Sequence, residues 1–437
     1  MKPVKPRQFY VTDWALADER CKRRLEAMMK GFGVGLDKVQ VLTEETLEAA
    51  IRANHWDQQN TRLGCLKPYG DPDVVFTAFR WPTPEQTKEI AGRHPILQEV
   101  KGYSSVFIRM LYGCGQYSHH DTRKVKLDQG ITCWTQHDFH SAYGCFHKCG
   151  YCSYGRAIAL ALNVEEILEH VDGLMAKVQQ KVYVQDNETD ALILEPEYGL
   201  CRALVEHFAR LKDRYIILFS KSDNVDFLLN LDHKGHTIML WSLTSPLVSR
   251  RIDRGTATTE ERLAAARECQ QAGYPVRLKL KPIIPVANWR QEATDTLEKL
   301  FAAVQPDNLS MQMLVWSGNT VAEAKEMLDM SLLDPEAIKL INLLDKREAD
   351  GLAIDRSNPF PDAFRAEVYS HYIDQIRRIS PDCRVSLCRE TKAMWDLLGP
   401  KLGMTANRFV CSCGPFCVPG IEAKRVGAAS DEKDSVV

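Results

Sequence analysis

The sequence has no apolar run approaching the roughly 18 residues that a membrane-spanning helix needs. Its first residues, Met1-Lys2-Pro3-Val4-Lys5-Pro6-Arg7, lead into no apolar stretch of the signal-peptide type. Both absences set the expectation of a cytoplasmic protein with no membrane partner. There is no charge excess either: 56 Lys and Arg against 58 Asp and Glu leave a formal net charge of −2. Bulk electrostatics therefore offers no route to nucleic acid, and only a local basic groove would. Residues 1 to about 125 contain neither a repeat nor a strong motif. No Gly-rich turn of the dinucleotide-binding kind follows a first strand, which argues against a Rossmann sheet.

What the chain does have is cysteine, fourteen in 437 residues. In a chain with no secretory signature, thiols point to metal or redox chemistry more than to disulfides. They are unevenly placed. Cys145, Cys149 and Cys152 form one group and Cys411, Cys413 and Cys417 another, whereas Cys21, Cys65, Cys201 and Cys269 are isolated and read as plain core or surface thiols. With 45% hydrophobic and 26% charged residues, the rest is ordinary globular protein, one large domain with extensions or two to three units.

The tightest group is Cys145-Phe146-His147-Lys148-Cys149-Gly150-Tyr151-Cys152, spaced C-x3-C-x2-C. A cubane iron–sulfur cluster normally takes four thiolates. Three in one short loop, with no fourth close behind, leave one iron open to another ligand. Zinc sites more often pair one C-x2-C with a second downstream, so zinc is the weaker reading. Cys114, His119 and His120 show no ligand spacing and read as an exposed loop. The second group, Cys411-Ser412-Cys413-Gly414-Pro415-Phe416-Cys417, offers four thiolates together with Cys388 (or Cys383). These would serve an auxiliary iron–sulfur cluster or a zinc site, or remain uncoordinated. The Gly-Pro inside it suits a tight ligand loop.

Helical composition marks Leu16–Lys30, and Thr43 is a candidate cap for a helix opening at Glu44. Asn54 to Pro95 reads as polar and irregular, and Val106–Leu111 as a strand or short helix. From about Ile131 strand-like runs alternate with helix-period segments. The strands fall at Val182–Val184, Tyr215–Phe219, Thr237–Trp241, Val276–Ile284 and Leu309–Trp316. The helices fall at Val164–Val178, Cys201–Leu211, Val225–Leu231, Thr259–Ala272 and Trp289–Val304. Such alternation implies a parallel sheet with right-handed crossovers. The fold class expected is α/β, a partial (β/α)6 TIM-type barrel with N- and C-terminal extensions. Chemistry then sits at the C-terminal strand ends, with the cysteine loop after a first strand near Thr132–Ser141. Beyond Gly318 helices are expected at Pro335–Asp350, Ala363–Arg378 and Glu390–Leu398, and a strand at Val385–Leu387. The expected division is 1–125 as an N-terminal extension, 126–320 as the barrel, 321–420 as a C-terminal helical region with the second thiol group, and 421–437 as a disordered tail.

In these motifs the chain resembles the radical S-adenosylmethionine (SAM) superfamily, and within it the spore photoproduct lyase family. The resemblance covers about Thr132 to Val304, with an echo at Ser386-Leu387-Cys388. The family's second-strand turn is similar to Glu188-Thr189-Asp190 ahead of Leu194-Glu195-Pro196. Its third-strand motif resembles Lys221-Ser222-Asp223-Asn224-Val225, and its fourth Trp241-Ser242-Leu243. Its next helix and fifth strand resemble Arg254-Gly255-Thr256-Ala257, Glu260–Ala266 and Ala272-Gly273-Tyr274-Pro275-Val276. The resemblance implies that Cys145, Cys149 and Cys152 hold a [4Fe-4S] cluster whose open iron binds SAM. An electron from the cluster then cleaves SAM to a 5′-deoxyadenosyl radical, which abstracts hydrogen from the substrate.

The same resemblance implies that Tyr151 packs near the adenine, that Glu188, Thr189 and Asp190 hold the SAM ammonium, that Lys221 approaches its carboxylate and that Ser242 also contacts SAM. The charges agree, since a zwitterion needs a cation at one end and acceptors at the other. Glu195 reads instead as a helix N-terminal carboxylate ahead of Pro196. Also implied are a flavodoxin- or ferredoxin-type electron donor and a thymine-derived or other nucleobase substrate, in DNA or as a nucleoside. Where the family carries its hydrogen-donating cysteine stands Asn187, which points to modification or isomerisation in place of photoproduct repair. Two other readings are radical modification of a peptide or small metabolite, and a non-catalytic, metal-stabilised binding protein. Arg250, Arg251, Arg254, Arg277, Lys279, Lys281 and Trp289-Arg290 would line a phosphate-facing groove or else form a mixed surface and barrel wall.

Overall fold

The frame is made of strands, in chain order β1 (Phe9–Thr12), β2 (Val39–Leu42), β3 (Asp73–Thr77), β4 (Ser118–His119), β5 (Asp138–Phe139), β6 (Ala142–Tyr143), β7 (Lys148–Cys149), β8 (Ala157–Ala161), β9 (Val182–Gln185), β10 (Tyr215–Ser220), β11 (Thr237–Leu243), β12 (Asp253–Arg254), β13 (Val276–Ile283), β14 (Asn308–Met313) and β15 (Val385–Leu387). The computed structural model describes residues 4–58, 71–152, 157–186, 188–316, 320–355 and 358–423. Cys65, Asn187, Gly318 and the tail beyond residue 423 lie outside the described residues.

The larger sheet runs in the order β15-β14-β13-β11-β10-β9-β5-β4, parallel throughout except for β4 against β5. The expected six-stranded partial barrel is β5, β9, β10, β11, β13 and β14, and β15 adds a further parallel strand. Every residue of β11 is buried, as befits a strand with helices outside and a packed interior inside. Helices Val164–Lys177, Leu200–Phe208, Thr259–Gln271 and Trp289–Ala303 supply the crossovers. The third of these opens on a capping box, Thr258 with Glu261. A helix expected over Val225–Leu231 is instead a run of turns, in which Leu228 N bonds Val225 O at 2.8 Å and Leu231 N bonds Leu228 O at 3.0 Å. Seven residues are too few to repay helix nucleation when the next strand begins six residues later.

A second sheet, β2-β1-β3-β8-β6, is parallel except for β6. It corrects the reading of Asn54–Pro95 as irregular, because that stretch contains β3 and a helix at Pro84–Arg93. β3 is the central strand and all five of its residues are buried, so it shows no alternation to read. Its Asp73 accepts from Arg7 Nε at 2.8 Å and Trp56 Nε1 at 2.9 Å. Val106–Leu111 lies within a helix, Gly102–Leu111. The last helix is Lys392–Leu402, capped by Thr391, not Glu390–Leu398.

The C-terminal segment closes the N-terminal end of the barrel. Lys181 N and Val182 N donate to Pro415 O at 2.8 and 2.9 Å. Arg277 donates to Ser412 O at 3.1 Å and Cys417 O at 2.6 Å. Cys413 packs among Val182, Val184, Ile217, Ile238 and Leu240, apolar residues of β9, β10 and β11. The basic residues noted in the sequence are therefore divided. Arg277 and Lys279 are buried inside the barrel, while Arg290 pairs with Glu367 outside it, so they form no common phosphate-facing groove.

Candidate active site

The cysteine loop follows β5 of the barrel and β6 of the second sheet and is clamped at several points. β7 pairs antiparallel with β12, Cys149 opposite Asp253 and Lys148 opposite Arg254. Gly150 N donates to Ile252 O at 2.9 Å. A Cβ at Gly150 would stand 2.9 Å from Met327 O, so the close approach requires glycine. Between the first two cysteines, His147 bridges Gly255 O (2.8 Å from Nδ1) and Asp190 Oδ2 (2.9 Å from Nε2). Loop position is thus set by a strand pair, one close backbone contact and one imidazole.

Cys145, Cys149 and Cys152 line a single cavity of about 370 Å3. Its wall includes Glu188, Thr189 and Asp190 beyond β9, Lys221 directly after β10, and Ser242 on β11, with Tyr151 from the loop itself. Lys281, Gln312 and Arg389 complete it from the far strands. None of the three cysteines is in a disulfide, and among the described residues no fourth cysteine reaches this cavity. Burial pushes the Cys149 thiol up to about 12 and Cys145 well above its ordinary value, a cost that a bound metal reverses by stabilising the thiolate.

Asp190 is a hub. One oxygen accepts from Leu192 N and Ile193 N at 3.0 and 3.2 Å, and the other from Lys221 N at 2.7 Å. The Ser220 hydroxyl bonds both oxygens, at 2.9 and 3.0 Å. Burial alone would raise this carboxyl, but His147 and these donors together hold it below the usual carboxylate range. Asp190 therefore ties the cysteine loop to the ends of β9 and β10, with both oxygens engaged by the chain itself.

Lys221 sits in a second network. Its ammonium pairs with Asp253 Oδ2 at 2.9 Å and meets the Tyr151 hydroxyl, which donates to Asp253 Oδ1 at 2.5 Å. Asp253 also takes Arg262 Nη2 at 3.0 Å and Thr244 Oγ1 at 2.9 Å, and both Asp253 and Arg262 are wholly buried. Burial opposes the charge on Asp253, yet the Lys221 and Arg262 cations hold its carboxyl far below the ordinary value. Sequence reasoning missed Asp253, Arg262 and His147. The signal for His147 was its place inside the C-x3-C spacing, and for Asp253 its place directly before the quoted Arg254-Gly255. Gln312 left no signal at all. Its amide oxygen is buried on the cavity wall without a hydrogen-bond partner, an acceptor aimed at whatever fills the space.

The second thiol group assembles elsewhere in the barrel. Cys388, Cys411 and Cys413 share a small cavity with Cys133, which no motif had singled out, and Cys417 lies beneath them. Cys383 stands apart, its thiol against Arg384 O. Asn187 lies outside the described residues. His119 and His120 are exposed, the latter stacked on His137 at 4.2 Å, but His119 lies in β4 and Cys114 is half-buried against the core, which corrects the reading of the three as an exposed loop. Among the described residues, no three His, Cys, Asp or Glu side chains converge so as to grip a single metal ion. A cubane asks for something else, thiolates at separate corners around a common space. The open space beside Cys145, Cys149 and Cys152, the polar residues facing it and the orphaned Gln312 oxygen fit a cluster with SAM alongside.

A barrel with a three-cysteine loop at the C-terminal strand ends is the arrangement that the resemblance to the radical SAM superfamily implies. Solved structures of spore photoproduct lyase share the fold. One in complex with dinucleoside spore photoproduct gives a TM-score of 0.54 at 14% identity, covering 88% of this chain and 99% of that one. A tyrosine-to-phenylalanine variant gives 0.56 at 14% identity, covering 89% and 100%. The family model described as spore photoproduct lyase matches residues 112–325. Spore photoproduct lyase of Bacillus subtilis is 27% identical over 230 residues, 51% of this chain and 64% of that protein. The Clostridium acetobutylicum enzyme is 22% identical over 190 residues, 42% of this chain and 56% of that protein. This chain thus spans less than two thirds of the length of either curated relative. It is a divergent relative of the spore photoproduct lyase family within the radical SAM superfamily.

Proposed function

We propose that the chain is a radical SAM enzyme acting on a nucleobase-like substrate by modification or isomerisation. The observation that carries this reading is the convergence of Cys145, Cys149 and Cys152 on one cavity with strand-end residues of β9, β10 and β11. A [4Fe-4S] cluster and SAM, when bound, would supply the 5′-deoxyadenosyl radical that abstracts hydrogen from an unactivated carbon. The chain's own residues do the rest. Cys145, Cys149 and Cys152 would hold three irons, and the clamp through His147 and β12 fixes their spacing. Tyr151 would lie near the adenine, Glu188, Thr189 and Asp190 beside the SAM ammonium, and Lys221 and Ser242 at its carboxylate end.

Asn187 stands where the lyase family has its thiol hydrogen donor, which favours a product other than repaired thymine. A flavodoxin- or ferredoxin-type protein would deliver the electron. A small anionic metabolite is the second reading, favoured by Lys281 and Arg389, cavity cations that make no ion pair among the described residues. Anaerobic reconstitution with iron and sulfide, then dithionite and SAM, tests the class: 5′-deoxyadenosine should form. A demonstrably cluster-loaded protein that yields none would refute it. Salt-sensitive binding to oligonucleotides separates a DNA substrate from a small metabolite.

A further inference from the structure

Buried in the lower half of the barrel is a lysine without a carboxylate. Lys279, on β13, is 6% exposed and makes no ion pair with Asp or Glu among the described residues. Its ammonium instead lies 3.3 Å from Cys413 Sγ and 5.0 Å from the Phe219 ring centre. An ammonium taken out of water needs an anion or a strong acceptor beside it, and a neutral thiol is a poor one. Around that sulfur stand further thiols. Cys133, Cys388, Cys411 and Cys413 line one small cavity together with Lys279 and Arg389.

The loop that carries two of them is built rigidly. Arg277 holds the carbonyls of Ser412 and Cys417, and the Ser412 hydroxyl bonds Ser310 Oγ at 2.7 Å and Asn308 Oδ1 at 2.9 Å. At Gly414 a Cβ would sit 2.6 Å from Cys417 Sγ and 3.1 Å from Cys411 Sγ, so only glycine lets the turn bring both sulfurs in.

We infer that Cys133, Cys388, Cys411 and Cys413 bind a second, thiolate-ligated metal centre inside the barrel, with Lys279 as its buried counter-charge. Each thiol gives up its proton on binding, and four thiolates around a divalent ion carry a net double negative charge. Lys279 and Arg389 would balance it. The thiols do not close on one point, so ligation asks for side-chain rotations. Arg389 also lines the upper cavity, which makes it the wall between this centre and the substrate space. The inference does not depend on the chemistry of the upper loop.

The test uses the full chain carrying Cys145→Ala, Cys149→Ala and Cys152→Ala, so that the upper loop binds nothing. That protein is loaded anaerobically in two arms, with zinc alone and with iron plus sulfide, and its metal is counted. Expected is about one zinc, or about one iron, retained per chain after desalting, since the cavity of about 10 Å3 has room for a single ion. Adding Cys133→Ser and Cys413→Ser should remove at least four fifths of it, whereas Cys21→Ser, a buried thiol elsewhere, should remove none. Metal below about one fifth of an ion per chain in both arms would overturn the inference, as would undiminished metal after Cys133→Ser and Cys413→Ser. If the latter variant does not fold, cobalt added to the triple alanine protein decides. Thiolate-to-cobalt charge-transfer absorption supports the site, and its absence refutes it.

Discussion

Replacing Asp253 by asparagine removes the anion on which two cations and two hydroxyls converge. Its carboxylate lies 3.0 Å from Arg262, 2.9 Å from Lys221, 2.9 Å from Thr244 Oγ1 and 2.5 Å from the Tyr151 hydroxyl. Lys221 is 15% exposed and can turn toward solvent, but Arg262 is wholly buried and cannot. Its other bonds, to Ala257 O at 2.8 Å, Ser242 O at 3.0 Å and the Thr256 hydroxyl, are to neutral groups, which carry no full charge. Breaking a buried pair from one side costs about 3–5 kcal/mol, and because asparagine keeps one acceptor the loss should fall near 3. Removing both charges is far cheaper than removing one. The double variant Asp253→Leu/Arg262→Met should therefore be more stable than Asp253→Asn despite its extra substitution. Urea denaturation of the apoprotein, followed by tryptophan fluorescence, measures both. A loss below about 1 kcal/mol for Asp253→Asn, the range of exposed pairs, would refute the reasoning. So would a double variant less stable than the single.

Burial raises the Glu195 carboxyl from 4.5 to about 7, although the Gly199 and Cys201 amides favour its ionised form. The native state then keeps a proton that the unfolded chain releases. This contribution is fully present below about 4.5 and is lost as pH rises through about 7, roughly 3 kcal/mol in all. In Glu195→Gln the fall in stability between about pH 5 and about pH 8 should shrink by that amount, and superimposable pH profiles would contradict the assignment. Gly150→Ala, whose Cβ would meet Met327 O at 2.9 Å, should cost about 1–3 kcal/mol and lower iron retention after reconstitution. Unchanged iron would show that the loop has room to spare. Gly150, Arg251, Arg254 and Lys325 line a cleft behind the cysteine loop. Arg254→Glu should accordingly slow reduction by a flavodoxin about tenfold at low salt and scarcely at high salt, and a salt-independent effect would remove the electrostatic role. Lys281→Gln should weaken binding of thymidine monophosphate about tenfold while sparing thymidine. Equal losses for both ligands would exclude a phosphate contact.

The barrel and its upper site were legible because strand ends leave a local trace. Lys221 stands one residue past an apolar run, Ser242 lies inside one, and the three cysteines of the loop are close in sequence. What stayed hidden is long-range. β3 carries no alternation because both of its faces are covered, and β8, drawn into the other sheet, is a short apolar run that nothing marks as leaving the barrel. Asp253 and Arg262 each look like surface charges on a helix-rich stretch, and only the packing of β12 against the cysteine loop buries them together. Cys133 has no neighbour of its own kind in sequence, so the fold alone brings it to Cys388 and Cys413. The Thr83-Pro84-Glu85-Gln86 cap, by contrast, was there to be read, since a capping residue, a proline and a glutamine three residues on mark a helix start.

The cations of β13 connect the two thiol groups. Arg277, Lys279 and Lys281 alternate along one strand, and a period of two places all three on the same face, toward the interior. Three positive charges stacked in a barrel would repel one another and lose their hydration unless each layer supplied an anion. The lowest has one in the chain itself, since Arg277 meets Asp307 at 2.8 Å. The middle one, Lys279, touches sulfur and an aromatic ring, and the buried Asp138 carboxyl acts on it from beyond ion-pair distance. The uppermost, Lys281, opens on the cavity beside Arg389. Among the described residues the chain therefore provides a close ion-pair partner at one level only. A metal–thiolate centre satisfies the middle level. A negatively charged group on SAM or on the substrate would satisfy the top, so the choice of ligand and the presence of a second centre are two halves of one charge balance.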